Sequence, residues 1–201
     1  AAVEEADWLA KRVVEIADKQ GIPPSGAVTL LREDHENRAR RLFSSNCASC
    51  HLYNGHDGRG FPVDSNQSAP DLAGVASREW LEELIDYDHY VSTKYFGGTA
   101  FKDGKMATKV LKKFDEKEKA LVPKVAALLS DIAGLPYQKP LSEKDREEGF
   151  DVFFDELGCI DCHDIEDEDE GSAPDLTGYG SRDWLIAVVG DPSHERFYGK
   201  D

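Results

Sequence analysis

Residues 43–55 read FSSNCASCHLYNG and contain two cysteines separated by two residues, with a histidine directly after them: Cys47, Cys50 and His51. The stretch LGCIDCHDIED at residues 157–167 repeats the arrangement with Cys159, Cys162 and His163. Together the two motifs hold all four cysteines of the 201-residue chain. A chain that places every cysteine in a Cys-x-x-Cys-His unit uses its cysteines for one chemistry, and does so twice.

A longer repeat surrounds these motifs. SAPDLAGVASREWL at 68–81 and SAPDLTGYGSRDWL at 172–185 agree at ten of fourteen positions, and each follows a Cys-x-x-Cys-His unit. The loop between motif and repeat is eight residues longer in the first copy. Such self-similarity indicates that one structural unit has been duplicated. We therefore predict a helical extension over 1–35 and two domains over 36–136 and 137–201.

The apolar pattern predicts helices throughout. Apolar residues from Leu121 to Ile132 recur at helical spacing, and Asp115 with Glu118 fits a capping box. Because Pro123 has no backbone N–H to donate, we place the first turn of this helix near Leu121. No alternating strand pattern of useful length occurs, so the predicted fold is all-α.

Three kinds of chemistry use paired cysteines. A zinc site does not require a histidine after each pair, and a thioredoxin-like redox pair lies in a βαβ context that this chain lacks. Attachment of c-type haem uses the spacing itself, because two thiols add to the two vinyl groups and the next residue offers an imidazole to the iron. We predict two covalently bound haem c groups, with His51 and His163 as proximal iron ligands.

The repeated segments supply candidate residues for the haem pockets. A metal-bound imidazole donates its other N–H to a carbonyl or carboxylate, and we expect the backbone carbonyls of Pro70 and Pro174 to accept it. Simple turn formation by proline and aspartate is the alternative. The next helices offer guanidinium and indole groups to haem propionates, although core packing explains the tryptophans almost as well. The full candidate set is Pro70, Leu72, Arg78, Trp80, Pro174, Leu176, Arg182 and Trp184.

A low-spin electron-transfer haem needs a second axial ligand, usually methionine or histidine. Met106 is the single methionine of the chain and is the predicted distal ligand of the first haem, with His89 as competitor. In the second repeat the equivalent of Met106, and of the closing helix, would fall beyond residue 201, so this domain reads as incomplete. Three interpretations remain open: the sequence is truncated, a partner completes the site, or His194 binds the iron.

The chain carries a formal charge of −16, with 40 acidic and 24 basic residues. Nucleic acid is excluded as a partner, because its phosphates would repel such a chain. A basic redox protein would be attracted, although solubility or a salty habitat explains the charge equally well. The acidic run 166–170 is a solvated loop or a docking patch for that partner. No apolar run reaches the roughly 18–20 residues of a membrane span.

These residues also carry a family resemblance. Both Cys-x-x-Cys-His…Pro-Asp-Leu…Trp units resemble class I cytochrome c domains, and residues 36–201 resemble a di-haem cytochrome c. The stretches CASCHLYNGHDGRG, SREWL…YFGGTAF…GKM and SRDWL…HERFYG are similar to di-haem c subunits, or fused c domains, of bacterial cytochrome bc-type quinol-oxidising complexes. The resemblance implies His51/Met106 ligation for the first haem. For the second it implies His163 with a methionine just after HERFYG, and it makes His194 a loop residue.

The expected function is transfer of single electrons between extracytoplasmic redox partners, as part of a bc-type complex or next to one. Thioether attachment in this family is completed outside the cytoplasm, which implies the periplasm or an equivalent compartment. Membrane association would come through a partner or through an anchor outside this sequence. The alternative is a di-haem enzyme such as a peroxidase with an open second haem, and a third class is a structural subunit of a complex.

Overall fold

The computed structural model describes residues 1–63, 68–165 and 171–199, so the acidic run 166–170 lies outside the described residues. The described residues form helices and no β-strand, which confirms the all-α prediction. None of these helices is both long and apolar enough to cross a membrane. The α-helices are α1 (Ala2–Gln20), α2 (Ala27–Glu33), α3 (His35–Asn46), α4 (Arg78–Leu84), α5 (Tyr87–Tyr90), α6 (Glu116–Ala133), α7 (Glu143–Asp151) and α8 (Arg182–Gly190).

The described residues fall into two compact units. The first unit holds the described part of 1–73 together with 92–100, and the second holds 74–91 together with the described residues from 101 on. These units are defined by spatial compactness, whereas the predicted boundaries after residues 35 and 136 follow the sequence repeat. The domain boundaries therefore stay a prediction.

In the first unit the N-terminal extension is helical, as its periodicity predicts, and a buried ion cluster attaches it to α3. Glu5 is 5% exposed and accepts hydrogen bonds from Arg40 Nη2 at 2.8 Å and Arg59 Nε at 3.0 Å. The guanidinium of Arg40 also lies 3.7 Å from the ring centroid of Trp8. The cation–π contact and the ion pairs hold α1 against α3. If α1 separated, the buried carboxylate of Glu5 would lose the arginines that compensate its charge.

A second ionic contact fixes the junction between α2 and α3. Arg12 donates to both carboxylate oxygens of Asp34, at 3.0 and 2.6 Å. Asp34 is also the N-cap of α3 and accepts from the backbone N–H of Asn37. Hydrogen bonding from Arg12 is the largest cause of the lowered pKa of Asp34. One carboxylate therefore starts α3 and holds α1 against it.

In the second unit α6 begins at Glu116 rather than near Leu121, so the predicted start of this helix is wrong. The capping box is present as predicted: Asp115 accepts from the N–H groups of Lys117 and Glu118, and Glu118 accepts from the N–H of Asp115. Pro123 lies inside the helix with an exposed ring. Its missing N–H removes one helical bond, and the capped first turn and the buried apolar stripe on either side keep the helix continuous.

The apolar stripe of α6 packs against α4 and α7. At the crossing with α7, a Cβ on Gly149 would lie 2.9 Å from Leu128 Cβ and 3.4 Å from the carbonyl oxygen of Lys124. Phe153, one turn further on, is fully buried. The helix that leads into the second cysteine motif is thus covered by α6. At the equivalent position of α3, Ala39 is exposed.

Gly149→Val should destabilise the second unit, whereas Ala39→Val at the repeat-equivalent position should not. The valine at 149 has no room at the α6 crossing, and overpacking of this kind costs about 1–3 kcal/mol. The valine at 39 meets solvent and loses only a few tenths of a kcal/mol in helix propensity. Urea unfolding of the two variants, followed by far-ultraviolet circular dichroism, checks this. Equal destabilisation of both variants would contradict the packing described.

Candidate metal centres

The first cysteine motif forms a single turn at the end of α3. Cys47 is the C-cap, and its N–H donates to the carbonyl of Phe43 at 2.8 Å. Its own carbonyl accepts from the N–H groups of Cys50 at 3.1 Å and His51 at 2.9 Å. A turn with these i→i+3 and i→i+4 bonds gathers both thiols and the imidazole within one short segment. The spacing of the motif dictates this grouping.

The second motif repeats that turn. A π-helical turn over Val152–Glu156 continues α7 towards it, and Gly158 in the left-handed region (φ 59°) redirects the chain. The carbonyl of Cys159 then accepts from the N–H groups of Cys162 at 3.2 Å and His163 at 3.0 Å. The two motifs therefore have the same hydrogen-bonded geometry although each belongs to a different compact unit.

Each motif histidine is oriented by the proline carbonyl of the Pro-Asp-Leu that follows it. The Nδ1 of His51 lies 2.7 Å from the carbonyl oxygen of Pro70, and the Nδ1 of His163 lies 2.8 Å from that of Pro174. A carbonyl only accepts, so Nδ1 carries the proton and donates in both cases. This tautomer leaves Nε2 with its lone pair, which is the arrangement that a metal-bound imidazole requires.

Asp71, the residue after Pro70, holds that carbonyl in place, and the sequence reading did not single it out. Its buried carboxylate accepts from the backbone N–H groups of Asn54, Gly55 and Ala73 at 2.8–2.9 Å. A carboxylate with three backbone donors is a rigid anchor. It ties the loop after His51 to the segment that contains Pro70. The sequence does indicate this role, because the aspartate of Pro-Asp-Leu is the same in both copies of the repeat.

The second repeat reaches the same arrangement with a different donor. The carboxylate of Asp175 accepts from the N–H of Thr177 at 2.7 Å and from Arg196 Nε at 2.9 Å. The backbone N–H of Asp175 donates to the carbonyl of Arg196 at 3.0 Å, as that of Asp71 donates to Lys94 at 2.8 Å in the first repeat. Matching backbone bonds also join Leu72 to Leu52 and Leu176 to Asp164. The leucines predicted to line a pocket are both half-buried.

The helices after each Pro-Asp-Leu begin as the repeat predicts. Ser77 and Ser181 cap α4 and α8 by accepting from the N–H groups of Trp80 and Trp184. Both tryptophans are buried, and the ring of Trp184 contacts Tyr179 and Phe197 edge-on at centroid distances of 4.8 and 5.4 Å. Core packing therefore explains most of the burial of Trp184.

Polar atoms in these two helices are left without partners. Trp184 Nε1 and Arg78 Nε are buried, and the described residues offer neither of them a hydrogen-bond acceptor. Arg78 uses Nη2 to donate to the carbonyl of Lys139 at 2.6 Å. Buried donors are almost always satisfied, so an acceptor outside the described residues fits here. Arg182 lies outside this set, because its side chain is 86% exposed and reaches only Asp183 at 3.8 Å.

All four cysteines are free thiols. Burial raises the pKa of Cys159 to about 11, whereas hydrogen bonds from Ser68 and Ser49 lower the pKa of the exposed Cys50. Burial also lowers the pKa of His163, which favours the neutral imidazole. A neutral imidazole with a free Nε2 is the form that binds iron.

The candidate distal ligands lie in the second unit. Met106 is half-buried and begins a π-helical turn, Met106–Val110, in which Ala107 is fully buried. His194 is exposed, and its Nδ1 accepts from the N–H of Arg196 at 3.1 Å, which places the proton of the neutral ring on Nε2, the reverse of the tautomer at His51 and His163. His89 is exposed and its Nδ1 lies 2.9 Å from Asp86 Oδ1.

These features together fit covalent haem. Each motif offers two free thiols and an imidazole with Nε2 unused, and each imidazole is oriented by a backbone carbonyl. The buried N–H groups of Arg78 and Trp184 match the need of propionates for donors. Clusters of three or more acidic, histidine or cysteine side chains that could hold a bare metal ion are absent from the described part of the chain. The class of protein that this site defines is a c-type haem protein.

Comparison with protein families agrees with this class. Residues 37–128, slightly less than half of the chain, match the cytochrome c family, and a cytochrome c domain implies a covalently bound haem c. Such a domain indicates an electron-transfer haem protein. The match includes Cys47, Cys50, His51 and Met106, and the second motif lies outside it. Searches of curated proteins and of solved structures gave no match.

Proposed function

We propose that the protein carries two covalently bound haem c groups and passes single electrons between redox partners. One observation supports this more than any other: the second Cys-x-x-Cys-His turn has the same backbone hydrogen bonds as the first. Its histidine also donates, at 2.8 Å, to the proline carbonyl of the Pro-Asp-Leu that follows it, as the first histidine does. A motif kept only by chance would have no reason to preserve the orientation of its imidazole.

Each chemical role falls to named residues. Cys47 and Cys50 hold the first haem by thioether bonds, and Cys159 and Cys162 hold the second. His51 and His163 are the proximal iron ligands, and Met106 is the distal ligand of the first haem. His194 is the candidate distal ligand of the second. Haem supplies the one-electron Fe(III)/Fe(II) couple, and the protein sets its potential through axial ligands, hydrogen bonds and burial.

The remaining predictions about partners belong to this proposal. We infer an extracytoplasmic location, because cytochrome c domains are usually found there. The di-haem arrangement and the resemblance to bc-type complexes favour a place in such a complex or next to one. The net charge of −16 favours a basic partner for the molecule as a whole.

The haem content tests the proposal. The chain is produced with a cytochrome c maturation system, denatured and assayed as the pyridine haemochrome against protein concentration. We expect two haems per chain, and a denatured mass increased by two haem groups. A ratio of one, with an unmodified peptide containing Cys159 and Cys162, would contradict it.

A further inference from the structure

A cleft opens where the N-terminal extension meets α3. It has a volume of about 370 Å³, and its walls come from α1, α2, α3 and the loop after the first cysteine motif. All of its lining residues belong to the first compact unit. None of the motif cysteines, histidines or predicted haem-pocket residues lines it. The cleft is therefore separate from the candidate metal centres.

Buried polar contacts hold the walls of this cleft in place. Asn37 is 5% exposed and donates through Nδ2 to the carbonyl of Leu31 at 2.7 Å, which ties α3 to α2. Glu5 is also 5% exposed and accepts from Arg59 Nε at 3.0 Å, which fixes one guanidinium at the edge of the cleft. Small-molecule sites are usually pre-formed in this way.

The floor of the cleft is apolar. Leu9 and Leu31 contribute half-buried side chains, and Val28 beside them is 71% exposed. These three side chains come from two helices and form one apolar surface in contact with water. A bound alkyl group would remove this surface from water, which is favourable.

The rim of the cleft is cationic. Arg32, Arg41 and Arg59 line it, and the one carboxylate among the lining residues, that of Glu5, is already compensated by Arg40 and Arg59. Arg32 and Arg41 are exposed and form no ion pair within residues 1–63, 68–165 and 171–199. Like charges placed around one cleft repel one another, so a bound anion would remove an electrostatic cost.

We propose that this cleft binds an amphipathic anion, which is a ligand with a carboxylate or phosphate head and an unbranched alkyl chain. The planar guanidinium groups of the rim match the oxygens of such a head, and the floor accepts the chain. The volume equals that of about twelve water molecules, so it suits a head with roughly ten carbons. A free fatty acid and an anionic lipid of a membrane share this chemistry. The site gives the chain a binding function beyond electron transfer.

Calorimetry with decanoate, on the haem-loaded full chain at low ionic strength, tests the role of the rim. A ligand of this size should bind with a Kd on the order of 0.1–1 mM. Arg32→Gln/Arg41→Gln should bind decanoate about tenfold more weakly, because two exposed charge pairs are lost. Arg38→Gln/Arg182→Gln has the same net charge and should bind as the unaltered protein does. Arg38 is exposed on α3 outside the cleft, and Arg182 is exposed in the second unit.

A second pair of variants tests the floor. Val28→Ser should bind decanoate about fivefold more weakly, because the alkyl chain loses apolar contact. Val3→Ser is the control, since Val3 is 81% exposed on α1 and lies outside the cleft. Two further ligands separate head from chain. Acetate has the head without the chain, decyltrimethylammonium has the chain with the opposite charge, and both should bind roughly tenfold more weakly than decanoate.

Vesicles of phosphatidylglycerol distinguish the two sources of the ligand. If the vesicles compete with decanoate, the cleft takes the head of a membrane lipid, whereas decanoate binding without competition assigns it to a free amphiphile. Equal decanoate binding by Arg32→Gln/Arg41→Gln and its control would overturn the proposal. So would no binding by the unaltered protein, or acetate or decyltrimethylammonium binding as tightly as decanoate. All of the substituted side chains are exposed, so the variants should fold as the unaltered protein does.

Discussion

The variant Cys159→Ala/Cys162→Ala is expected to carry one covalent haem, where the unaltered chain is expected to carry two. Loss of both thiols removes the thioether bonds of the second motif, and the first motif keeps its own turn, thiols and oriented His51. Absorbance per chain in the reduced spectrum should fall by about half. Denatured mass spectrometry distinguishes covalent haem from haem that is merely trapped.

The matched variant Cys47→Ala/Cys50→Ala controls this experiment. It should also carry one haem, now attached to the peptide that contains Cys159 and Cys162. If either double variant fails to fold, peptide mapping of the unaltered protein gives the same information, because each motif peptide should carry haem. Full loss of haem from the first-motif variant, together with no loss from the second-motif variant, would show that the second motif binds none.

The variant Glu5→Gln should unfold the N-terminal extension from α3. Glu5 is buried and accepts from two arginines, and Arg40 Nη1 is already buried without an acceptor among the described residues. Removal of one partner from a buried ion cluster leaves uncompensated charge and costs about 3–5 kcal/mol. Partial exposure of the side chains of Arg40 and Arg59, at 20% and 34%, places the expected loss near the lower end, about 3 kcal/mol.

Glu4→Gln is the control for that variant, because the neighbouring Glu4 side chain is 80% exposed and pairs only with the N-terminus. It should change the free energy of unfolding by less than about 0.5 kcal/mol. Urea unfolding gives the two values, and hydrogen exchange locates the effect. Amides of α1 should exchange faster in Glu5→Gln alone. Equal protection of α1 in both variants would contradict a role for Glu5 in holding the extension.

Features governed by neighbours along the chain were predictable from the sequence. The cap of α6 by Asp115 and Glu118, the caps by Ser77 and Ser181, and the turn that groups Cys47 with His51 all depend on residues within four positions of one another. The carbonyls of Pro70 and Pro174 could be named because their segment is repeated beside each motif. Local hydrogen bonds and repetition supply this information without a tertiary structure.

Contacts between distant residues were not predictable. Glu5 meets Arg40 and Arg59, which are 35 and 54 residues away, and charge alone does not say which of the many acidic residues is buried. Packing of α6 on α7 through Gly149 depends on how two apolar stripes meet in space. The prediction based on Pro123 placed the start of α6 too late. Burial of the apolar residues on either side of Pro123 outweighs the loss of one hydrogen bond. Tertiary packing overrode a local rule in that case.

The central claim is that the protein contains two one-electron centres, and a reductive titration tests it most directly. The oxidised, haem-loaded protein is titrated anaerobically with dithionite while its visible spectrum is recorded, and the electrons taken up are counted per chain. The account predicts two electrons per chain, both accompanied by the spectral change of haem c reduction. Uptake of one electron per chain, with the spectrum fully reduced at that point, would contradict it.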